Sequence, residues 1–294
     1  MEALSLLTNN PFAFVAYILL LCSIISCWTF SKYYLFAPLY FISYCLAYLG
    51  GIVTYTSLFP LAVITIALLC LKFSPKRFIH LFASMVIAIV GMGIMTHMLK
   101  GFQNLLLLKE ITYGASTVPI NLYLNFDKVS LAILLLGLSI KVLQTKEGWK
   151  QTLIITIPWI AFSAFILLGY SKFSHLVALD IKLPPTTIYW LIINFFFVVI
   201  PEEAFYRGFL QHEITKNLPN RAAPLLAIIA VSLVFALSHL FFTLNLSFLL
   251  ASFIGSVLYG VIFYFSGSIE SAILTHFSIN VIHFFFFTYP FIST

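Results

Sequence analysis

TIYWLIINFFFVVIPEEAFYRGFL (residues 187–210) sets two adjacent glutamates and an arginine directly behind a run of large apolar side chains. As a helix, the run is long enough to sit in a bilayer core, which takes about 20 residues. A lone charge there costs at least ~3 kcal/mol at mid-span, so an intramembrane acid implies a partner or a task. On a helix Glu203 and Arg207 lie four apart with the acid on the N-terminal side, the favourable order for an ion pair. Glu202 is turned about 100° away from Glu203 and needs a different partner. Pro201 removes a backbone donor, so it is expected either to kink the span or to start a new helical segment whose N-terminus would favour carboxylates. Glu203 and Arg207 stay open between a structural pair near a helix end and a direct role. Glu202 reads as functional, the default for an acid buried in a span.

The rest of the chain agrees with a membrane setting. Of 294 residues, 62% are hydrophobic and 8% charged, and mean hydropathy is +1.08. A soluble domain needs more charge than that for its surface alone. Apolar runs at 12–30, 35–55, 57–73, 78–99, 129–144, 152–170, 187–210, 222–243, 247–265 and 269–288 predict an all-α, polytopic helical transmembrane protein of about eight to ten spans. The short alternating segments of a β-barrel are absent from the sequence. Polar breaks fall at SPKR (74–77), TKEGWK (145–150) and KNLPNR (216–221). The mixed stretch 100–128 is expected to hold an interfacial amphipathic helix around Phe102 to Leu108.

The opening MEALSLLTNNP (1–11) carries a glutamate and no basic residue. That is not the basic segment of a cleavable signal, so the first apolar run is expected to stay as an anchor. The net charge of +6 is read as loop lysines on a cytoplasmic side, with no nucleic-acid partner implied. The lysine bias favours the connectors holding Lys32, Lys72/Lys76/Arg77, Lys146/Lys150 and Lys216/Arg221 as that side. Cys22, Cys27, Cys45 and Cys70 form no CxxC pair and read as small apolar side chains. Residues 1–150 hold no polar constellation and read as accessory transmembrane helices; 151–294 read as the motif-bearing bundle.

Two further stretches carry polar groups. In VFALSHLFF (234–242), His239 stands among apolar residues, with Phe235 one turn before it and able to pack on its ring. A satisfied core histidine and a functional one are both open there. In SAILTHFSINVIHFFFF (271–287), His276, Asn280 and His283 share one helix face. That stripe suits donors lining a cavity; for His283, interhelical hydrogen bonding is the preferred reading. Glu270, behind Ser268, reads as a helix-start carboxylate.

Together these residues resemble the CAAX-protease and bacteriocin-processing (Abi) family of intramembrane proteases. The family's motifs EExxxR, FxxxH and HxxxN stand, in order, as Glu202-Glu203-Ala204-Phe205-Tyr206-Arg207, Phe235-Ala236-Leu237-Ser238-His239 and His276-Phe277-Ser278-Ile279-Asn280. The resemblance covers about 150–290. It implies a glutamate-dependent endopeptidase inside the bilayer, with membrane lipid around it and a membrane-associated peptide or protein as substrate. A prokaryotic inner membrane is the implied location. By this resemblance Glu202 and His239 hold and deprotonate a water, and His276 and Asn280 donate hydrogen bonds to the oxyanion. Glu203 and Arg207 are supporting residues. Glu202, His239 and His276 could bind zinc, yet there is no HExxH, and no metal cofactor is expected. Such a site needs Glu202, His239 and His276 at similar depth: one long helix over 187–216 centres Glu202, an apolar run continuing past 243 centres His239, and 268–290 roughly centres His276.

Other protease chemistries find no support. No GxSxG stands in the chain, and the only aspartates, Asp127 and Asp180, fall in connectors. A proton-coupled transporter would also need intramembrane Glu, Arg and His, but it predicts matching broken helices in both halves. A non-proteolytic immunity or scaffold member of the same family is the other alternative.

Overall fold

The computed structural model describes residues 9–29, 32–114, 116–218 and 220–293. Residues 1–8 of the N-terminal stretch, the Lys32 side chain and Pro219 of the 216–221 connector lie outside the described residues, and with them the readings made there. Ten helices form among the described residues: α1 (Pro11–Ser26), α2 (Lys32–Leu49), α3 (Leu58–Phe73), α4 (Arg77–Met95), α5 (Phe126–Leu138), α6 (Lys146–Phe173), α7 (Thr187–Asn217), α8 (Ala223–Ser238), α9 (Leu246–Ser266) and α10 (Ile269–Phe286). Seven stretches are long and apolar enough to cross a membrane: Tyr55–Phe73, which is α3 with the turn before it, α4, α6, α7, Ala223–Phe241, which is α8 with the turn after it, α9 and α10; Pro11–Ser26 and Tyr34–Leu49 are shorter apolar helices. The protein is an all-α, multi-pass membrane protein.

The run at 129–144, expected as a span, is instead the 13-residue α5. At 1.5 Å per residue it reaches about 20 Å, short of the ~30 Å hydrocarbon core. Every residue from Val129 to Leu136 is buried. A helix apolar all round is a core helix as readily as a span, and hydropathy does not separate the two. The interfacial helix expected around Phe102 to Leu108 is also overturned. Leu105–Ile111 is a strand, β1, paired with β2 (Ile120–Leu124). Along β2 the side chains alternate, Ile120, Leu122 and Leu124 buried and Asn121 and Tyr123 exposed, the period-two pattern that a strand requires.

The chain gathers into two compact units that interleave in sequence. The first comprises the chain through Leu107, Tyr123–Gln144 and Phe196–Phe209; the second comprises Leu108–Leu122, Thr145–Phe195 and the chain from Leu210 onward.

In the first unit α5 is the centre, packed by α1, α2, α3, α4 and the Ile200–Glu203 turn of α7. Ser23 Oγ donates to the Phe36 carbonyl at 2.9 Å and Ser43 Oγ to the Ala16 carbonyl at 2.7 Å, tying α1 to α2. Such bonds between helices are the glue available where no water competes. Gly137 of α5 leaves room for the Phe36 ring; a Cβ there would stand 2.5 Å from its Cζ.

In the second unit α10 packs on α6 and α9, and α8 packs on α9. Its core includes Leu167, Leu258, Tyr259, Ala272 and Ile279. Trp190, near the start of α7, stacks on Phe284 of α10 with ring centroids 4.0 Å apart. After α10 the chain turns back, and Phe287 and Ile292 pair with Leu179 and Thr117. Lys182 Nζ bonds the Asp180 carboxylate at 3.0 Å and donates to the Phe287 carbonyl.

Candidate active site

The first motif lies on α7. Glu202 stands 15 residues from each end of Thr187–Asn217, by 202 − 187 and 217 − 202. Pro201 therefore neither ends nor begins a helix. A short α turn, Ile200–Glu203, is flanked by wide π turns at Ile193–Val199 and Ala204–Gln211. Proline cannot supply its ladder bond and its ring crowds the carbonyl four residues back. The wider i→i+5 winding absorbs both, and π segments are often found at functional sites.

Of the seven long helices, α7 is the most buried, at 61%, and α10 follows at 50%, against 28–33% for the other five. Glu203 and Arg207 are wholly buried, with Arg207 Nη1 3.2 Å from Glu203 Oε1. The ion pair expected from the i,i+4 spacing exists, and it lies in the middle of a span rather than snorkelling at its end. The Tyr206 ring lies 5.9 Å from the guanidinium carbon. Glu202 is buried but keeps 9% exposure.

The second motif ends α8. Ser238 Oγ at 2.7 Å and His239 Nδ1 at 2.8 Å both meet the Phe235 carbonyl. A carbonyl only accepts, so Nδ1 is the donor of that contact. His239 sits in the single turn His239–Phe241 at the C-terminal end of α8, not at the centre of an apolar run continuing past 243. The run stops there because Asn245 caps α9, its side chain accepting from the Phe248 amide at 3.1 Å.

The Phe235 ring packs on His239 at 4.7 Å between centroids, as expected, and it also meets the third motif's His276 edge-on at 6.2 Å. Tyr259 of α9 stacks flat on His276, 4.4 Å away at 15°. The two imidazoles are thus gathered around one phenylalanine, which gives the first position of FxxxH a physical task. Asn280 Nδ2 donates to Asn194 Oδ1 at 3.2 Å. Sequence reasoning missed Asn194, although it is the one amide in INFFFVVI. Gln211 Nε2 donates to the Gly260 carbonyl at 2.9 Å, tying the end of α7 to α9 beside Tyr259.

Residues 184–282 match the family of Rce1-like type II CAAX prenyl endopeptidases.

The resemblance read from the motifs is borne out over that stretch. The Rce1-like segment runs through α7, α8, α9 and most of α10 and contains all three motifs together with Asn194. That family is one of proteases, and the helices of the matched segment are membrane-spanning in length and hydropathy. No curated protein and no solved structure matches the chain.

The remaining predicted residues fall as follows. Glu270 lies in the first turn of α10 and accepts from Ser268 Oγ at 2.6 Å, the helix-start role expected. His283 Nε2 meets the Thr288 carbonyl at 3.1 Å, so it closes the end of α10 rather than bridging two helices. No three His, Cys, Asp or Glu side chains gather as a metal-holding set among the described residues.

Proposed function

We propose that the protein is a CAAX-type intramembrane endopeptidase acting on a membrane-associated peptide or protein, with Glu202 and His239 activating the attacking water. What carries this reading is the His239–Phe235–His276 cluster in a segment that matches a protease family. Glu203 is engaged by Arg207, which leaves Glu202 as the motif acid able to take a proton. His239, with Nδ1 bonded to a carbonyl, presents Nε2 as the acceptor that holds and orients the water.

The water oxygen bonds to the scissile carbonyl carbon as its proton passes to Glu202. The carbonyl oxygen becomes the oxyanion and takes hydrogen bonds from His276 and from Asn280 Nδ2. Asn194 Oδ1 occupies one amide hydrogen of Asn280 and leaves the other for the oxyanion. Collapse breaks the C–N bond, and Glu202 returns the proton to the leaving amine. The cycle needs no redox partner and no metal. A prokaryotic inner membrane, with lipid as the surrounding solvent, is the proposed location.

The test is cleavage of membrane-adjacent peptides, prenylated and unprenylated, by the detergent-purified full chain beside Glu202→Gln and His239→Ala, each with and without a chelator. Loss in both folded variants and indifference to chelator support the reading. Cleavage that survives Glu202→Gln overturns it. Chelator-sensitive cleavage overturns the metal-free form. Ion-driven uptake lost in the same variants, with no cleavage by the parent, would favour the transporter.

A further inference from the structure

The Rce1-like match begins at residue 184, yet the glutamate motif packs with helices that precede it. Residues Phe196–Phe209 fall in the compact unit built by α1–α5. The Ile200–Glu203 turn rests on α5, a helix buried on all sides. Phe205, wholly buried, fills a notch left by Gly91 of α4; a Cβ at Gly91 would stand 2.4 Å from the ring's Cε2. Next to it, Tyr206 OH reaches Met92 Sδ at 4.0 Å. From α1, the Tyr17 ring meets Phe197 edge-on at 6.1 Å.

Two of these walls are tied to each other. His97, just past the end of α4, bonds Asp127 in the first turn of α5, Nδ1 to Oδ2, at 2.6 Å. Asp127 Oδ1 also accepts from the Lys128 amide at 2.7 Å. Wide π turns on both sides of Ile200–Glu203 interrupt the ordinary α ladder. The direction of a side chain on that turn is therefore set by what it packs against as well as by its own backbone.

We infer that α4 and α5 form a cradle that positions the glutamate turn, with Gly91 as the positioning residue. Gly91 acts through Phe205, three residues past Glu202, by letting the ring seat fully against α4. The inference rests on the proposed role of Glu202 and assigns a task to residues read from sequence as accessory.

The test uses the full chain in detergent or liposomes, with kcat, KM and the pH profile of kcat/KM measured for each variant. A misplacement of about 1 Å can cost about 100-fold in rate, so Gly91→Ala is expected to lower kcat by about 10- to 100-fold with KM little changed. It should also displace the acid limb of the profile, which a loss of folded protein alone would not move. Gly91→Ala/Phe205→Leu, which gives back the volume, is expected to recover most of kcat relative to Phe205→Leu alone. Met92→Ala, which empties the same wall instead of filling it, should also lower kcat.

Wild-type kcat in a folded Gly91→Ala, an unmoved acid limb, or failure of Phe205→Leu to rescue overturns the inference. If Gly91→Ala does not fold, Met92→Ala decides, and unchanged kcat there overturns it. Glu202→Gln in the same assay separates the two levels. An inactive Glu202→Gln beside a wild-type Gly91→Ala sinks the cradle alone, whereas an active Glu202→Gln removes the role that the cradle serves.

Discussion

The acid motif and the two histidine motifs are built from different physical materials. Glu203 is held by a fully buried guanidinium on a helix wound wide on both sides of a proline. His239 and His276 are held by ring faces, Phe235 between them and Tyr259 beneath His276, and by one backbone carbonyl. A carboxylate in hydrocarbon is ionised at a heavy cost unless a counter-charge stands beside it, and that pins its partner by sequence spacing. A neutral imidazole needs only shape and one acceptor, which can come from any helix that packs there. The acid motif is therefore readable locally, and the histidine sites are not.

The sharpest way to break that contrast is to swap the two acids. Glu202→Gln is expected to lower kcat by roughly 100- to 10,000-fold, the worth of a general base, with a thermal midpoint near the parent's. Glu203→Gln, or Arg207→Met, leaves one member of the buried pair unmatched. Each is expected to lose about 3–5 kcal/mol of stability, read as an earlier unfolding transition. Together they should recover much of that loss. If Glu203→Gln instead keeps its stability and loses cleavage, the two acids have exchanged roles.

On the histidine side, His276→Phe keeps an aromatic ring against Tyr259 and removes the N–H. A fall in kcat of roughly 100- to 1,000-fold, the worth of one oxyanion donor, with unfolding little changed, is the expected result. Parent-like kcat would assign His276 to packing alone. Asn194→Leu should cost less, about 10-fold in kcat, and nothing further in an Asn280→Ala background, because the two amides act as one unit. The smallest effect is expected far from either motif. Ser23→Ala or Ser43→Ala should lower stability by about 0.6 kcal/mol, the mean for such intramembrane bonds, and leave cleavage unaltered.

Several elements are legible in the sequence alone. The membrane helices follow from long apolar runs, the Glu203–Arg207 pair from i,i+4 spacing, and Glu270 from its place behind Ser268. The Phe235–His239 contact follows from one helical turn. Other features were not legible, for identifiable reasons. Hydropathy scores α5 like a span, because burial in protein and burial in lipid use the same side chains. The end of α8 depends on the Ser238 and His239 side chains taking the Phe235 carbonyl and on Asn245 capping the next helix, which sequence shows only as scattered polar residues in an apolar run. Asn194 carries no spacing signal, since its partner lies 86 residues away.

What the sequence determined by itself is therefore local and energetic: which segments avoid water, which charges stand within one helical turn of each other, and which polar residues recur in a protease family's order. Those properties act over a few residues, so one chain read in line suffices. What only the tertiary structure decided is which helix is core and which is span, where the histidine-bearing helix stops, and which amide faces Asn280. Those outcomes depend on contacts between residues tens of positions apart, and packing is what selects among the arrangements the local chemistry allows.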